Sequence, residues 1–248
     1  MAQDRADFYA ELTKPAPPPV EMRLDFERAA LVVIDPQVDC LSPVTWGGVG
    51  ESVVDHEMVA NIGRLFEAAK RTGIPVAVSP HYYFPHDHDW MAAAGAKHTH
   101  KPGIFDRRPP AHDGFAHPGA EWMPEYEAHI EDGRTIICSP HKVFGPQAND
   151  FVLQLRKRRR DQVVLAGLSA HLCVDAHLRD LIENGFEVAV VRDATAGATV
   201  PERGGFLSAR VNYRWLANAL CTTDEAVTEF ARTAGAWAAQ PAAIASRR

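Results

Sequence analysis

Three residues whose side chains support covalent hydrolysis each follow a predicted β-strand. Cys173 lies where an apolar strand turns into an amphipathic helix, in VVLAGLSAHLCVDAHLRDLIENG. A thiol in the first turn of a helix lies near the positive end of the peptide dipoles, which favours the thiolate. Asp35 ends an earlier strand, and Lys142 follows another. A thiolate with a carboxylate and an ammonium group beside it predicts an enzyme that attacks a carbonyl carbon with sulfur.

The predicted elements alternate between strands and helices. Continuous apolar runs are typical of strands buried on both faces, and helical spacing of apolar residues fills the segments between them, with Gly73 and Gly185 as helix stops. Such alternation gives a mostly parallel sheet covered by helices on both faces. The predicted fold class is α/β, a single three-layer, Rossmann-like domain. Its strands are expected at 30–35, 74–79, 134–139, 162–168 and 186–191, with a sixth near 219–222.

This topology predicts that the three reactive residues meet. In an open parallel sheet, ligands bind beyond the carboxyl ends of the strands, near the point where the strand order reverses. Asp35, Lys142 and Cys173 all lie just after strands, so they are expected at one edge of the sheet. Each also has a simpler interpretation: a turn residue before proline for Asp35, a surface lysine for Lys142, and an inert buried thiol for Cys173.

The composition narrows the class of protein. The chain has 248 residues, of which 46% are hydrophobic and 23% charged, and its formal net charge of −6 favours neither nucleic acid nor an anionic membrane as a partner. No apolar run approaches the roughly 20 residues that span a bilayer. The N-terminal segment has acids and prolines where a secretory signal would be basic and then apolar, so a cytoplasmic location is expected. Four cysteines without a CxxC pair suit free thiols.

The residues around the three strand ends resemble the isochorismatase-like cysteine hydrolase superfamily, which includes nicotinamidases and N-carbamoylsarcosine amidases. The resemblance runs from about residue 29 to 222. It rests on LVVIDPQVD, on the lysine of SPHKVFG and above all on AGLSAHLCVDAHLRDLIENGFEVAVVRDATAGA. The resemblance implies a hydrolase domain at 29–237. The composition predicts the other segments: an N-terminal extension at 1–28, a flexible tail at 238–248, and at 80–133 a lid, binding loop or oligomer contact that is rich in His, Pro, Gly and aromatics and has little core character.

The same resemblance implies a role for each residue. Asp35 would take the proton of the thiol and later protonate the leaving amine, Lys142 would hold Asp35 in place, and Cys173 would form a thioester. It also implies a non-proline cis peptide between Leu168 and Ser169, which would aim the backbone N–H groups of Ser169 and Cys173 at the developing oxyanion.

Metal and substrate contacts are less determined. Nicotinamidases hold a metal with an Asp-x-His pair after the second strand, and this chain has His-Tyr-Tyr at 81–83. No metal and no other cofactor is therefore expected, although His81, His86 and His88 are an alternative cluster whose spacing matches no strong ligand signature. Candidate substrate contacts, with simple packing or a surface role as the alternative, are Trp46, His81, Tyr83, Phe144 and His171.

The leading hypothesis is a metal-independent hydrolase that cleaves a C–N bond of a small amide, imide or carbamoyl compound through a thioester. One alternative is an isochorismatase-type vinyl ether hydrolase, in which Cys173→Ala would retain most activity. A catalytically silent binding protein on the same fold is another. A nucleotide-binding oxidoreductase lacks support because DPQVDC, and no G-x-G-x-x-G, follows the first strand. The expected partners are a small-molecule substrate and further copies of the chain in a homo-oligomer.

Overall fold

The structure is a computed structural model, and it describes residues 21–42, 52–54, 57–87, 119–199, 201 and 204–240. Apolar sequences form its central sheet. The first and fourth strands, AALVVI and QVVLAG, are buried along their whole length, as expected for strands with helices on both sides. The strands are β1 (Ala29–Ile34), β2 (Val76–Ser79), β3 (Ile136–Ile137), β4 (Gln162–Gly167), β5 (Glu187–Thr195) and β6 (Ala219–Cys221).

All the strand pairs in this sheet are parallel, and the strand order is β3-β2-β1-β4-β5-β6. The chain builds one half of the sheet outward from β1 and then crosses back to β4, so the order reverses between β1 and β4. The registers place Ile34 beside Ser79 on one side and beside Gly167 on the other. The predicted α/β class and six-stranded parallel sheet are confirmed.

Helices cover both faces of the sheet. Alternate residues of β1 point to opposite sides, so Leu31 and Val33 join one core and Ala30, Val32 and Ile34 join the other. The helices are α1 (Val38–Leu41), α2 (Met58–Thr72), α3 (Pro124–Ile130), α4 (Phe151–Lys157), α5 (Asp175–Glu183), α6 (Gly205–Leu216) and α7 (Thr223–Ala238). The first core includes residues of α2, α3 and α7, and the second includes residues of α4, α5 and α6.

Both ends of the predicted 80–133 insert belong to the core, which corrects the expectation that this region has little core character. Tyr83 and Tyr126 are fully buried. The Tyr126 hydroxyl donates to Val59 O at 2.8 Å, and its ring lies 5.3 Å from that of Phe66. Aromatic residues in a polar-looking stretch thus anchor the segment to α2. Residues 88–118 lie outside the described residues.

The described end of the predicted N-terminal extension packs on α7. Leu24 is buried, its N–H donates to Glu229 Oε1 at 2.7 Å, and its carbonyl accepts from Thr233 Oγ1 at 2.9 Å. Residues 1–20 lie outside the described residues, as do residues 241–248 of the predicted tail. Across the described ranges, no helix has the length and apolar character that crossing a bilayer requires.

Candidate active site

Asp35 lies directly after β1, at the reversal point of the sheet. Its backbone is in the left-handed region (φ 55°) and its side chain is buried. Gly167, at the end of the neighbouring β4, is needed for this close approach because a Cβ there would lie 2.1 Å from Ile34 O. Burial raises the pKa of Asp35 to about 6, against opposing contributions from His81 and Cys173. A carboxyl with such a pKa exchanges protons readily near neutral pH.

Cys173 lies in a π-helical turn (Ala170–Val174) that precedes α5, so it comes before the regular α-helix begins. Its side chain is buried, its sulfur lies within 4.8 Å of a carboxylate oxygen of Asp35, and its S–H donates to Val143 O at 4.0 Å. Burial raises the pKa of Cys173 well above its usual range, and the Asp35 charge raises it further. The expectation that the helix dipole favours a thiolate is therefore wrong for the resting site. Desolvation and the neighbouring carboxylate outweigh the dipole, so the thiol keeps its proton.

The peptide bond between Leu168 and Ser169 is cis, as the resemblance implied. The backbone N–H groups of Ser169 and Cys173 both face the sulfur, and each lowers the pKa of the thiol, opposing the larger effect of burial. Two backbone N–H groups therefore lie close to the sulfur, as the predicted oxyanion role of these groups requires.

Lys142 does not hold Asp35, so that prediction is wrong. Its ammonium group donates to Asp87 Oδ2 at 2.6 Å and lies 4.4 Å from the centre of the Phe84 ring. The backbone explains this orientation: residue 141 bridges residue 81 in parallel fashion beyond β3, and successive side chains of an extended segment point to opposite sides. The side chain that points inward belongs to the preceding residue, His141.

His141 occupies the place predicted for the lysine. It is completely buried, and its Nε2 lies 2.7 Å from Asp35 Oδ1. Burial lowers the pKa of His141 to about 3, so the ring is neutral at pH 7 and donates its Nε2–H to the carboxylate. Its other nitrogen, Nδ1, is buried and has no hydrogen-bond partner among the described residues. His141 precedes Lys142 in SPHKVFG. Sequence spacing alone does not show which of these two side chains points toward Asp35.

His81, predicted to contact substrate, lies in the same buried cluster. Its ring stacks on that of His141 with centroids 4.7 Å apart, and its Nε2 lies 3.0 Å from Lys142 O and 2.8 Å from the Tyr83 hydroxyl. Because a carbonyl oxygen only accepts, Nε2 carries the ring proton and Nδ1 carries the lone pair. Burial lowers the pKa of His81 to about 3, with a further lowering from His141.

These side chains form a compact group that we call the buried quartet: Asp35, His81, His141 and Cys173. All four residues are buried, and one potential ligand atom from each lies within 4.8 Å of the corresponding atoms of the others. Sequence reasoning brought Asp35 and Cys173 together and placed His81 in the lining. It missed His141 and assigned its position to Lys142.

A second histidine that the sequence did not reveal supports the Cys173 backbone. His177 Nδ1 donates to Cys173 O at 2.7 Å, and its Nε2 accepts from Ser79 Oγ at 2.8 Å. Asn149 Nδ2 in turn donates to Ser79 Oγ at 2.8 Å. This chain of hydrogen bonds links the end of β2 to the first turns of α5. His177 lies four residues after Cys173, which places the two side chains on the same face of the helix.

The other predicted substrate contacts are dispersed. Tyr83 is buried, with its hydroxyl on His81, and Phe144 packs at the border of the second core. His171 is half-buried and packs on Gly205, where a Cβ would lie 2.5 Å from its ring, and its Nδ1 lies 3.1 Å from Ser169 Oγ. Trp46 lies outside the described residues.

The alternative metal cluster of His81, His86 and His88 is not assembled by the described residues. The His86 side chain is exposed and stacks on Phe84, whereas His81 points into the buried quartet. His88 lies outside the described residues.

Comparison with known proteins adds a family to this geometry. A family profile described as the isochorismatase domain matches residues 29–225. One curated relative, the uncharacterised isochorismatase family protein YddQ of Bacillus subtilis (strain 168), is 28% identical over 107 residues, which are 42% of this chain and 58% of that protein. The chain thus spans 58% of the length of this curated relative.

Solved structures share the fold at low sequence identity. A cysteine hydrolase from Pseudomonas syringae pv. phaseolicola 1448A has a TM-score of 0.69 at 16% identity, covering 88% of this chain and 100% of its own. The N-carbamoylsarcosine amidase of Thermoplasma acidophilum has a TM-score of 0.58 at 20% identity, with coverages of 79% and 97%. The YcaC gene product of Escherichia coli, an octameric hydrolase of unknown specificity, has a TM-score of 0.56 at 22% identity, with coverages of 89% and 85%.

Proposed function

We propose that this chain, which belongs to the isochorismatase family, hydrolyses a C–N bond of a small amide, imide or carbamoyl compound with Cys173 as nucleophile. One observation carries the proposal: the buried carboxylate of Asp35 has an oxygen within 4.8 Å of the Cys173 sulfur and accepts a hydrogen bond from His141 at 2.7 Å. A thiol, a base on its proton and a group that orients the base are the parts of an activated nucleophile.

The proposed reaction proceeds in two halves. Asp35 takes the thiol proton as the sulfur of Cys173 attacks the carbonyl carbon, and the N–H groups of Ser169 and Cys173 stabilise the oxyanion. Collapse of this intermediate breaks the C–N bond, and Asp35 gives the proton to the departing nitrogen. Water then attacks the thioester, with Asp35 accepting its proton. This releases the acid and restores the thiol.

His141 gives this site a different electrostatic character from the lysine of the resemblance. A neutral imidazole orients Asp35 by donating one hydrogen bond, but it brings no positive charge to stabilise a thiolate. The high pKa of Cys173 agrees with this. We therefore propose that proton transfer to Asp35 accompanies the attack, with no standing thiolate beforehand, so Asp35 is more important here than a lysine-assisted mechanism would require.

The substrate class follows from the chemistry of the site and from the likeness to an N-carbamoylsarcosine amidase. A thiol is required to form an acyl intermediate, and hydrolysis of a vinyl ether needs none. The thiol lies within 4.8 Å of a carboxylate oxygen of Asp35 and close to two backbone N–H groups, an arrangement suited to a carbonyl carbon. This favours cleavage of a C–N bond over the vinyl ether reaction.

Release of ammonia or amine from a panel of small amides, imides and carbamoyl compounds tests the proposal. Cys173→Ser and Asp35→Asn should each lower kcat by at least about 10³-fold on any compound that is turned over, with the fold checked by circular dichroism. Cys138→Ser is the matched control, since Cys138 is a buried thiol on the strand side of the second core. No turnover on this panel, together with hydrolysis of a vinyl ether that Cys173→Ala retains, would instead indicate the vinyl ether type of reaction.

We also propose that the chain assembles as a homo-oligomer. The likeness to an octameric hydrolase supports this, and so does α6. Leu207, Val211 and Trp215 are spaced four residues apart on α6, and each is more than half exposed. Apolar side chains in one helical stripe are typical of a contact with another protein surface.

A further inference from the structure

The buried quartet has the donor set of a closed metal site. We propose that Asp35, His81, His141 and Cys173 bind one Zn²⁺ ion with their four side chains. Imidazole nitrogen, thiolate sulfur and carboxylate oxygen are the ligands that Zn²⁺ takes in proteins, and four protein ligands without water are typical of its closed sites. This set shares only His81 with the histidines that sequence spacing indicated.

The separations within the quartet are close to those of a bound ion. In a tetrahedral site with bonds of about 2.0 Å to nitrogen or oxygen and 2.3 Å to a single sulfur, neighbouring ligand atoms lie roughly 3.3–3.5 Å apart. The quartet holds its ligand atoms within 4.8 Å of one another.

The hydrogen bonds around His81 prepare it as a ligand. Zinc-binding histidines usually donate their second ring N–H to a carbonyl or another acceptor, which fixes the tautomer. His81 does so through Nε2, toward Lys142 O at 3.0 Å with the Tyr83 hydroxyl at 2.8 Å. The lone pair therefore lies on Nδ1. The amide of Gln37 also holds the His81 backbone, at 2.6 Å to its N–H and 3.0 Å to its carbonyl.

His141 offers its Nε2, which lies 2.7 Å from Asp35 Oδ1. For both side chains to bind the same ion, Nε2 must face it, because Nδ1 lies on the opposite side of the ring from Asp35. Coordination therefore replaces the Nε2–H···Asp35 hydrogen bond and moves the ring proton to Nδ1, which is buried and has no hydrogen-bond partner among the described residues.

Charge balance favours a divalent cation of intermediate softness. A thiolate and a carboxylate together cancel a 2+ charge, so the loaded site is neutral overall in its buried surroundings, where net charge is costly. Mg²⁺ and Ca²⁺ prefer oxygen ligands and higher coordination numbers than this site offers. The donor set therefore selects Zn²⁺, for which Co²⁺ is a spectroscopic substitute of the same geometry.

Metal titration of the full chain, reduced and treated with chelator, tests the proposal. Competition between the protein and a chromophoric chelator should give one Zn²⁺ per chain. Co²⁺ should give intense tetrahedral d–d bands and a sulfur-to-cobalt charge-transfer band. Cys173→Ser should abolish the charge-transfer band, and loss of a ligand should weaken Zn²⁺ binding by more than the roughly 10- to 100-fold typical of a second-shell change.

Matched variants keep the result interpretable. Cys138→Ser and His171→Asn remove a thiol and an imidazole outside the quartet and should leave the spectrum unchanged, while Tyr83→Phe should weaken binding by about tenfold through His81. If Cys173→Ser does not fold, His81→Asn should still lower the affinity and alter the d–d bands. Binding of Co²⁺ with no charge-transfer band, or equal affinity in the quartet variants and the two controls, would overturn the proposal.

Occupation of the site has one consequence that rests on the proposed function. The ion takes the sulfur and the carboxylate that the reaction requires, so Zn²⁺ should stop ammonia release and chelator should restore it. The two proposals fail separately. Loss of the cobalt spectrum with Cys173-dependent ammonia release intact removes only the metal site. A cobalt spectrum without any amide turnover in the metal-free protein removes only the hydrolase.

Discussion

At the scale of single residues, two neighbouring side chains near the site have different surroundings. His141 reaches the Asp35 carboxylate at 2.7 Å, whereas the Lys142 ammonium group reaches Asp87 at 2.6 Å. Asp35 is therefore oriented by a neutral donor, whereas Lys142 forms an ion pair with Asp87 in the segment after β2. Adjacent residues of an extended segment diverge in this way because their side chains alternate.

We predict that His141→Ala lowers kcat for amide hydrolysis by about 10²-fold or more with little change in KM, since the base loses the hydrogen bond that orients it. His141→Gln, whose amide nitrogen can donate from a similar position, should recover part of this loss. Lys142→Met should keep kcat within about tenfold of wild type. Steady-state kinetics on the best amide of the panel provide the comparison.

An equal fall in kcat for His141→Ala and Lys142→Met would return the orienting role to the lysine. Thermal unfolding of each variant separates a loss of chemistry from a loss of fold. The partial recovery in His141→Gln is the sharper sign, because a purely packing role for the ring would gain nothing from an amide donor.

Two site residues could be predicted from the sequence because the apolar pattern around each of them defines a strand. Asp35 and Cys173 follow long apolar strands, which fixes where each side chain lies along the sheet edge. His141 follows β3, which has two residues, and a strand this short gives no alternation from which to read which neighbour points inward. The protonation of Cys173 was also beyond sequence reasoning, because desolvation depends on residues that are distant in the chain.

At the scale of elements, the start of β3 is tied to α2 by Asp132. Its carboxylate accepts from Lys70 Nζ at 2.7 Å and from the N–H groups of Arg134 and Thr135, each at 2.9 Å. Burial raises the pKa of Asp132, but these hydrogen bonds outweigh it and hold the pKa below its usual range. A short edge strand thus gains its position from a charged anchor.

We predict that Asp132→Asn lowers the free energy of unfolding at pH 7 by about 1–2 kcal/mol, since hydrogen bonds to a charged group are lost. The folded-state pKa is depressed, so this stabilisation is fully present above the unfolded-state pKa of about 3.9 and disappears as the pH falls through the folded value. Urea unfolding of both proteins between pH 7 and pH 3 should show the difference shrinking.

Glu67→Gln is the control for this experiment. Glu67 and Arg71 form an exposed pair on α2 with 3.8 Å between charged atoms, and such pairs contribute little. A stability difference for Asp132→Asn that stays constant down to pH 3 would show that the charge of Asp132 is not what holds β3.

The start of α7 has a clear signal in the sequence, whereas the π-helical turn that holds Cys173 has none. Thr222 and Glu225 form a capping box at the start of α7, with each side chain bound to the backbone of the other residue, and a Thr three residues before a Glu is a recognised helix start. The π-helical turn at 170–174 had no such signal, because the same apolar spacing suits a regular α-helix. It arises where the chain leaves β4 and must bring Cys173 toward Asp35.

At the scale of the whole molecule, the six-stranded parallel sheet could be predicted from a few apolar runs because strands that alternate with helices pair in parallel through right-handed connections. Runs such as ALVVI and QVVLAG have no polar face, so helices must cover both sides, which determines the three layers. The packing of residues 21–24 on α7 could not be predicted in this way, since Met22 and Leu24 alternate with charged residues and belong to no continuous apolar run. Its buried position depends on Glu229 and Thr233, more than 200 residues away.

The exposed stripe of α6 leads to a prediction about assembly. Ala209 and Tyr213 turn the other face of this helix into the core, so a charge at Trp215 should leave the fold intact. We predict that wild-type protein at micromolar concentration has the mass of a homo-oligomer in light scattering and that Trp215→Glu shifts it to a smaller species. Leu153→Glu, which alters an exposed apolar residue on α4, should not change the mass.

A monomeric wild type would contradict the proposed assembly. An unchanged mass for both Trp215→Glu and the double variant Leu207→Glu/Trp215→Glu would place the contact elsewhere. Two charges at the ends of a stripe three residues long leave too little apolar area to hold two chains together.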